Sequence, residues 1–258
     1  MNRRALALLI SLILLKSSVE SCDTVTVSKK KSLDIGHLNV CGLFAKIDLL
    51  SLFIKKHDFD IFGVTETLLK DSLLAPLIEI EGYNFERRDR GKAGGGVGVY
   101  LKTNIESIRR QDLENVNTEL ICLEIFSQHT KPFLLCVLYR SPSSSKHICK
   151  NYVEIFDNVL SKIKTNSKSE EVIIIGDINC NYLDDNHEKQ FKEMLSLNGY
   201  FQNIKQPTRT TCNSQTLIDV ILSNNPGSLS KNEVIPCTLS DHDAIHCVRQ
   251  FKKKKLPS

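Results

Sequence analysis

The stretch Val172-Ile173-Ile174-Ile175-Gly176-Asp177-Ile178-Asn179 decides the fold class of this chain. Its four apolar residues in succession predict a central β-strand that is covered on both faces. A carboxylate that directly follows such a strand is costly to bury unless it is paired or binds a metal ion. The stretch therefore predicts a layered α/β protein and makes Asp177 a candidate functional residue.

Apolar runs alternate with amphipathic stretches along the rest of the chain. Residues 32–40 and 60–64 have strand patterns, and apolar residues recur at helical spacing between Leu43 and Ile54, so this segment predicts a βαβ unit. Further strands are predicted at residues 97–101, 119–126, 132–139, 217–222 and 244–248, of which the second and third form a hairpin, and helices around 152–163 and 191–195. This alternation predicts an α/β sandwich with its helices outside.

Length and composition are those of an ordinary globular protein. The chain has 258 residues, 41% hydrophobic and 25% charged, and no linker or repeat divides residues 32–250, so we expect one domain there. The formal net charge is only +4, so a nucleic-acid site must be a local basic patch. The lysine run 252–255 lies in a predicted basic tail, residues 251–258, and is interpreted as a solvated charge run.

Two features point to different compartments. In residues 1–21, two arginines precede an apolar run that is too short to span a bilayer, which is typical of a secretory signal peptide; the alternative is an unstructured segment without a targeting role. The nine cysteines include no CxxC pair, and Cys41, Cys122 and Cys136 fall in predicted buried strands, which favours a reduced, intracellular protein. The sequence leaves both compartments open.

Polar side chains stand at the ends of several predicted strands, and binding crevices of α/β folds commonly lie where strand ends converge. The carboxylates and amides among them are hard oxygen ligands, which suit Mg²⁺ better than zinc or copper. His242 and Asp219 can form an imidazole–carboxylate pair that acts as a base, and Tyr139 offers a hydroxyl donor. A metal ion, a base and neutral donors are what phosphodiester hydrolysis requires. The candidates are Asn39, Glu66, Tyr139, Asp177, Asn179, Asp219, Asp241 and His242.

Three of the candidates also have an ordinary structural interpretation. An asparagine such as Asn39 is commonly a turn former, Glu66 can be a helix-start residue that interacts with the backbone dipole, and Tyr139 can be a core or rim aromatic. A zinc site is a further alternative, but its ligand spacing matches no common finger pattern. Its four ligands would be Cys237, His242, His246 and Cys247.

Six motifs occur in the order typical of the endonuclease/exonuclease/phosphatase superfamily, which the chain resembles over residues 32–250. They are Leu38-Asn39-Val40-Cys41-Gly42-Leu43, Val64-Thr65-Glu66-Thr67, Tyr139-Arg140-Ser141-Pro142, Gly176-Asp177-Ile178-Asn179, Leu217-Ile218-Asp219 and Ser240-Asp241-His242. Gly94-Gly95-Gly96-Val97 and Pro207-Thr208-Arg209 resemble, in particular, the apurinic-endonuclease-like endonuclease domains of non-LTR retrotransposons. The resemblance implies a four-layer sandwich of two packed mixed β-sheets flanked by helices.

The resemblance also implies a Mg²⁺-dependent endonuclease, with Mn²⁺ as an alternative cation, that nicks double-stranded DNA by phosphodiester hydrolysis. In the family, the nick leaves a 3′-hydroxyl that primes reverse transcription. Glu66 is implied as the main metal ligand, with Asn39 beside it and Asp241 as a further carboxylate of the metal site. Tyr139 is implied as a donor to the phosphate, and Thr208 as a substrate contact.

The remaining implied roles concern the attack on the phosphate. Asp177 and Asn179 position the attacking water and the phosphate. His242 is the imidazole at the scissile phosphate, and Asp219 orients it. These roles rest on the resemblance.

The chain departs from the family pattern at two positions. Cys41 stands where repair endonucleases carry an acidic residue near the metal, which points away from abasic-site repair, and Pro142 stands where several relatives have a phosphate-contacting asparagine. The same scaffold also carries phosphatases and phospholipases, and a catalytically inactive, transposon-derived domain is a third alternative. We expect no stable protein partner, no reverse transcriptase domain in this chain, and a nuclear or cytoplasmic location, or secretion if residues 1–21 are a working signal peptide.

Overall fold

The computed structural model describes residues 30–70, 72–90, 94–115, 117–127, 131–142, 152–184 and 189–251. The signal-like segment 1–21 and the lysine run 252–255 lie outside these residues. All elements below belong to the compact unit that begins at Lys31. Within the described residues, no helix combines the length and the hydropathy that crossing a membrane requires.

The first β-sheet has six strands built around one parallel pair. In spatial order they are β13 (Leu229–Ile235), β14 (Ala244–Gln250), β1 (Ser32–Asn39), β2 (Ile61–Thr65), β4 (Val97–Lys102) and β3 (Tyr83–Arg88). Strands β1 and β2 are parallel, and the other neighbouring pairs of this sheet are antiparallel. Helix α1 (Ile47–Lys56) connects β1 to β2, so the predicted βαβ unit is confirmed.

The second sheet repeats this plan. Its strands are, in order, β5 (Glu106–Arg109), β6 (Glu119–Phe126), β7 (Phe133–Tyr139), β8 (Val172–Asp177), β12 (Asp219–Ser223) and β9 (Phe201–Gln202). Strands β7 and β8 are parallel, and β6 and β7 form the predicted hairpin. The remaining elements are α2 (Tyr152–Asn166), α3 (Lys189–Leu197) and a small hairpin of β10 (Arg209–Thr210) and β11 (Gln215–Thr216).

The strand directions decide where the polar strand ends meet. Strands β1 and β2 end at the same edge of the first sheet, and β14 begins there because it is antiparallel to β1. Strands β7 and β8 likewise end at one edge of the second sheet, where the antiparallel β12 begins. Each sheet thus brings residues that are far apart in sequence to one edge.

Three apolar clusters separate the layers. The first lies between the sheets and contains Ile35 and Val99 from the first sheet and Val137 and Ile175 from the second. The second packs α2 and α3 on the outer face of the second sheet, and the third packs α1 on the outer face of the first. Burying each leucine or isoleucine side chain contributes roughly 1.5–3 kcal/mol. The result is the expected four-layer α/β sandwich.

The structure differs locally from the sequence prediction. The predicted helix from Leu43 divides into a 3-10 turn (Phe44–Lys46) and α1. Asp219 begins β12, whereas the sequence pattern places it inside a strand. The prediction that Cys41 lies in a buried strand is wrong: the chain turns after Asn39, Cys41 has a φ of 42°, and its side chain is exposed.

Candidate active site

Six polar side chains face one another between the two sheets, at the edge where the strands end. They form three hydrogen-bonded pairs, each with one member from the first sheet or its flanking residues and one from the second. In every pair the bonded atoms are 2.8 Å apart. The pairs are Asn39 with Asp177, Glu66 with Tyr139, and His242 with Asp219. The structure thus brings six of the sequence candidates together.

Glu66 follows β2 in a left-handed backbone conformation, with a φ of 50°. Non-glycine residues adopt this conformation rarely and at a cost, and such residues concentrate at functional sites. Its Oε1 accepts hydrogen bonds from Asn39 Nδ2 at 3.0 Å and from the Tyr139 hydroxyl at 2.8 Å, and Oε2 accepts none from the described residues. Residues 66–70 form no helix, which excludes the helix-start interpretation.

Asn39 links two carboxylates. Besides Glu66, its Nδ2 donates to Oδ2 of Asp177 at 2.8 Å. Its Oδ1 accepts the backbone N–H of Cys41 at 3.0 Å. The amide nitrogen of Asn39 thus holds Glu66 and Asp177 together. Its amide oxygen Oδ1, the atom that would bind a metal ion, is engaged by the backbone N–H of Cys41.

Asp177 is the last residue of β8 and is fully buried. The backbone N–H of Asn179 donates to its Oδ1 at 2.8 Å, and Nδ2 of Asn179 lies 3.2 Å from its Oδ2. Asn179 is itself left-handed, with a φ of 46°. The glycine before Asp177 is required, because a Cβ at Gly176 would lie 1.8 Å from the carbonyl oxygen of Leu138. Backbone geometry on both sides therefore fixes the carboxylate.

Asp219 stands directly opposite Asp177 in the antiparallel pair of β8 and β12. Its Oδ2 lies 2.8 Å from Nδ1 of His242. Thr208 is fully buried, and its hydroxyl accepts the backbone N–H groups of Asp219 at 3.1 Å and Ile218 at 3.2 Å. The structure thus gives Thr208 a contact that anchors the start of β12, and its contact with substrate stays a prediction.

Burial and charge alter the acidity of these groups. Burial and the facing Asp219 raise the pKa of Asp177 to about 8. Burial alone would lower the pKa of His242, but Asp219, Asp177 and Asp241 outweigh it and raise that pKa to about 9. His242 is therefore protonated at neutral pH and suited to donate to a phosphate oxygen, whereas the sequence alone favours a base.

The six side chains include three carboxylates but only one cationic group, His242. Ligand atoms of Asp177, Asp219 and His242 lie within 4.8 Å of one another, so two buried carboxylates and one imidazole share a small space. The pKa of Asp177 is raised because the neighbouring groups of the chain stabilise its negative charge too little to offset burial and Asp219. A bound divalent cation would stabilise that charge. Carboxylate oxygens suit Mg²⁺ or Mn²⁺. The donor set therefore fits a hard divalent cation.

Asp241 has a cationic partner within the chain. Nε of Arg209 donates to Oδ2 of Asp241 at 2.8 Å, a terminal guanidinium nitrogen lies 2.6 Å from the same oxygen, and the two side chains are 40% and 47% exposed. A backbone bridge joins Arg209 to His242, so the guanidinium lies at the rim of the site. Sequence reasoning missed Arg209, although it directly follows Thr208.

The glycine run at residues 94–96 shapes the rim beside Glu66. The carbonyl oxygen of Gly95 accepts the backbone N–H of Leu68 at 2.9 Å, which fixes the loop after Glu66. Arg90 lies 5.6 Å from the centre of the Tyr139 ring, and a Cβ at Gly95 would lie 2.4 Å from its guanidinium. The run therefore makes room for Arg90, a second residue that sequence reasoning missed.

The alternative zinc site is not formed. The ring nitrogens of His246 lie 3.0 Å from carboxylate oxygens of Asp34 and Glu233. Cys247 points into the core between the sheets, because successive residues of a strand face opposite sides. His242 is engaged by Asp219, so these residues cannot surround one ion.

Comparison with known proteins supports the same architecture. The model of the Endonuclease/Exonuclease/phosphatase family matches residues 36–242. The endonuclease domain of TRAS1, a telomere-specific non-LTR retrotransposon, is similar with a TM-score of 0.66 and 15% identity, over 86% of this chain and 100% of that one. The AP endonuclease LMAP from Leishmania major is similar with a TM-score of 0.71 and 13% identity, over 86% of this chain and 89% of that one. The 3′ phosphatase NExo from Neisseria, bound to a product DNA hairpin, is similar with a TM-score of 0.64 and 14% identity, over 85% of this chain and 99% of that one.

At these identities the structural likeness establishes the fold, and the family model establishes the relationship. The matched segment begins within β1 and ends at His242, so it contains all three hydrogen-bonded pairs and most of both sheets. Motif order, strand topology and family match agree, and the chain belongs to the endonuclease/exonuclease/phosphatase family of hydrolytic enzymes.

Proposed function

We propose that this protein is a Mg²⁺-dependent endonuclease that nicks double-stranded DNA, with Mn²⁺ able to replace Mg²⁺. The observation that carries the proposal is the convergence of Asp177, Asp219 and His242, whose ligand atoms lie within 4.8 Å of one another. Two buried carboxylates that face each other need a positive charge nearby. A protonated imidazole beside them supplies a donor to a phosphate oxygen.

Glu66 and Asp177 are the carboxylates that would hold the cation, which neutralises charge on the phosphate when bound. Asn39 keeps them together through its amide nitrogen. Tyr139 holds Glu66 in one orientation. Burial and Glu66 raise the pKa of Tyr139, so its hydroxyl keeps the proton that it can offer to a phosphate oxygen.

The residues of the second sheet would act on the attacking water and the transition state. Asp177 accepts from the backbone of Asn179, and the two side chains would orient the water. Asp219 engages Nδ1 of His242, which leaves the protonated Nε2 for the substrate. The transition state gains negative charge on its phosphate oxygens, so this donor acts where charge develops.

Two observations support DNA as the substrate. Arg209 places a 40% exposed guanidinium at the rim of the site, in an ion pair with Asp241, although the net charge of the chain is small. The similar solved structures include the endonuclease domain of a retrotransposon and a protein bound to a DNA hairpin. The latter is named a 3′ phosphatase, which makes removal of a terminal phosphate the second candidate function.

The decisive test is nicking of supercoiled plasmid by the purified protein with Mg²⁺. We expect relaxed circles with Mg²⁺ or Mn²⁺ and none with chelator, and a loss of at least about 100-fold for His242→Ala. His246→Ala is the matched control, because His246 is also buried between carboxylates but lies outside the site. Its rate, corrected for the folded fraction, should equal that of the wild type.

Other outcomes would replace the proposal. Release of phosphate from a 3′-phosphorylated oligonucleotide, without plasmid nicking, would favour the phosphatase. An inert protein that folds normally would indicate an inactive domain. Equal nicking by wild type and His242→Ala would show that the activity belongs to a contaminant or to another site.

A further inference from the structure

His37 is a buried histidine that the roles above do not use. It lies on β1 two residues before Asn39, on the strand face that looks toward the second sheet, and only 1% of it is exposed. Its Nε2 lies 3.1 Å from the hydroxyl oxygen of Thr65. Its Nδ1 lies 3.7 Å from Oδ1 of Asp219. His37 therefore stands behind the carboxylate that engages His242.

Two atoms at this point are buried without a hydrogen-bond partner in the described part of the chain: Nδ1 of His37 and Oδ1 of Asp219. Buried polar atoms are nearly always hydrogen-bonded, and leaving one unbonded costs about 1–3 kcal/mol. An imidazole N–H and a carboxylate oxygen complement each other, whereas a lone pair on Nδ1 would repel the carboxylate. Reaching hydrogen-bonding distance requires a movement of less than about 1 Å.

We propose that His37 is a positioning residue that carries its proton on Nδ1, donates it to Oδ1 of Asp219, and so fixes the orientation of Asp219 toward His242. The carboxylate of Asp219 selects this tautomer because it can only accept, and the Thr65 hydroxyl is compatible with it because it can donate to an unprotonated Nε2. With Oδ1 held by His37, Oδ2 stays on Nδ1 of His242. The proposal rests on the proposed function, since it acts through the imidazole assigned to the phosphate.

A matched pair of substitutions separates this role from packing. The amide nitrogen of asparagine occupies the position of histidine Nδ1, and that of glutamine the position of Nε2. His37→Asn therefore keeps a donor toward Asp219, and His37→Gln keeps only the contact with Thr65. We expect His37→Gln to lower kcat for nicking about 10- to 100-fold with KM unchanged, the usual effect of removing a group that orients a reacting side chain. His37→Asn should retain most of kcat.

Rates are corrected for the folded fraction by thermal melting. Equal loss of kcat in the two variants would overturn the proposal, because a packing role does not distinguish between the two nitrogens. A change in KM alone would also overturn it, since the proposal gives His37 no contact with substrate.

A second measurement is independent of activity. Nitrogen-15 NMR of the metal-free wild type distinguishes protonated from unprotonated ring nitrogens, and the His37 signals are assigned by their absence in His37→Asn. We expect a proton on Nδ1 and none on Nε2; the opposite tautomer would overturn the proposal even if the protein nicks DNA. If the wild type does not nick DNA, the proposed function fails, and the tautomer alone decides whether His37 orients Asp219.

Discussion

The protein should lose stability as the pH rises through the range in which His242 loses its proton. Its pKa is raised from 6.5 to about 9, against the effect of burial, mainly by Asp219. A tenfold difference in proton affinity is worth about 1.4 kcal/mol, so the charged imidazole contributes about 3 kcal/mol to folding. Because the folded pKa is the higher one, this contribution is complete below pH 6.5 and is lost as the pH rises through about 9.

Urea unfolding of the wild type and of His242→Asn measures this contribution. Asparagine keeps a donor at the position of Nδ1, so it preserves the contact with Asp219, but it does not titrate. The difference in unfolding free energy between the two proteins should shrink by about 3 kcal/mol from about pH 6 to about pH 10. Chelator and thiol reductant exclude effects of metal ions and of cysteine oxidation.

The same pair of measurements in an Asp219→Asn background supplies the control. Without the carboxylate, the effect of His242→Asn should depend little on pH, because nothing then holds the proton on His242. A wild-type difference that changes by less than about 1 kcal/mol over the pH range, or that changes equally in both backgrounds, would show that Asp219 does not hold the proton on His242.

Three further predictions follow from the geometry. Gly176→Ala should lower the free energy of unfolding by at least about 3 kcal/mol in urea titrations, because its Cβ would lie 1.8 Å from the Leu138 carbonyl oxygen; a loss under about 1 kcal/mol would contradict the close approach. Burial lowers the pKa of His37 to about 4, so the contribution of the neutral imidazole to the free energy of unfolding is complete above pH 6.5 and is lost as the pH falls toward 4. Acid unfolding of the wild type should show this loss, up to about 3 kcal/mol, and acid unfolding of His37→Phe should not. If DNA is the substrate, Arg209→Ala should reduce the slope of log affinity for DNA against log salt concentration by about one, and Asp241→Asn should tighten DNA binding because it frees Arg209. Fluorescence anisotropy without metal measures both effects, and weaker binding by Asp241→Asn would contradict the role of the Arg209–Asp241 ion pair.

Sequence patterns predict the central strands and miss the outer ones for a physical reason. Strand β8 is buried on both faces, so its apolar run is unbroken. In the two six-stranded sheets, the strands that were not predicted are β3, β5, β9 and β13, and all four lie at sheet edges. Edge strands contact solvent and carry charge, as in β3, which contains one glutamate and two arginines. The layer order is therefore predictable from the sequence, but the width of each sheet is not.

The candidate site is predictable as a set of residues but not as a set of contacts. The sequence places Asn39 at a strand end, but the direction of its amide depends on the backbone turn at Cys41. A motif includes Thr208, yet only the structure shows that its hydroxyl is buried against the backbone of Asp219. His37 resembles any strand residue, because no local pattern reveals that Asp219 of the other sheet comes to face it.

Each of the three hydrogen-bonded pairs of the candidate site joins one sheet to the other. Either sheet can complete its own backbone ladder while every one of these pairs is still broken. The faces must also approach closely, since a Cβ at Gly63 would lie 2.9 Å from Cδ1 of Ile175. The candidate site is therefore complete only when the two sheets are packed against each other, and an activity assay would report that packing.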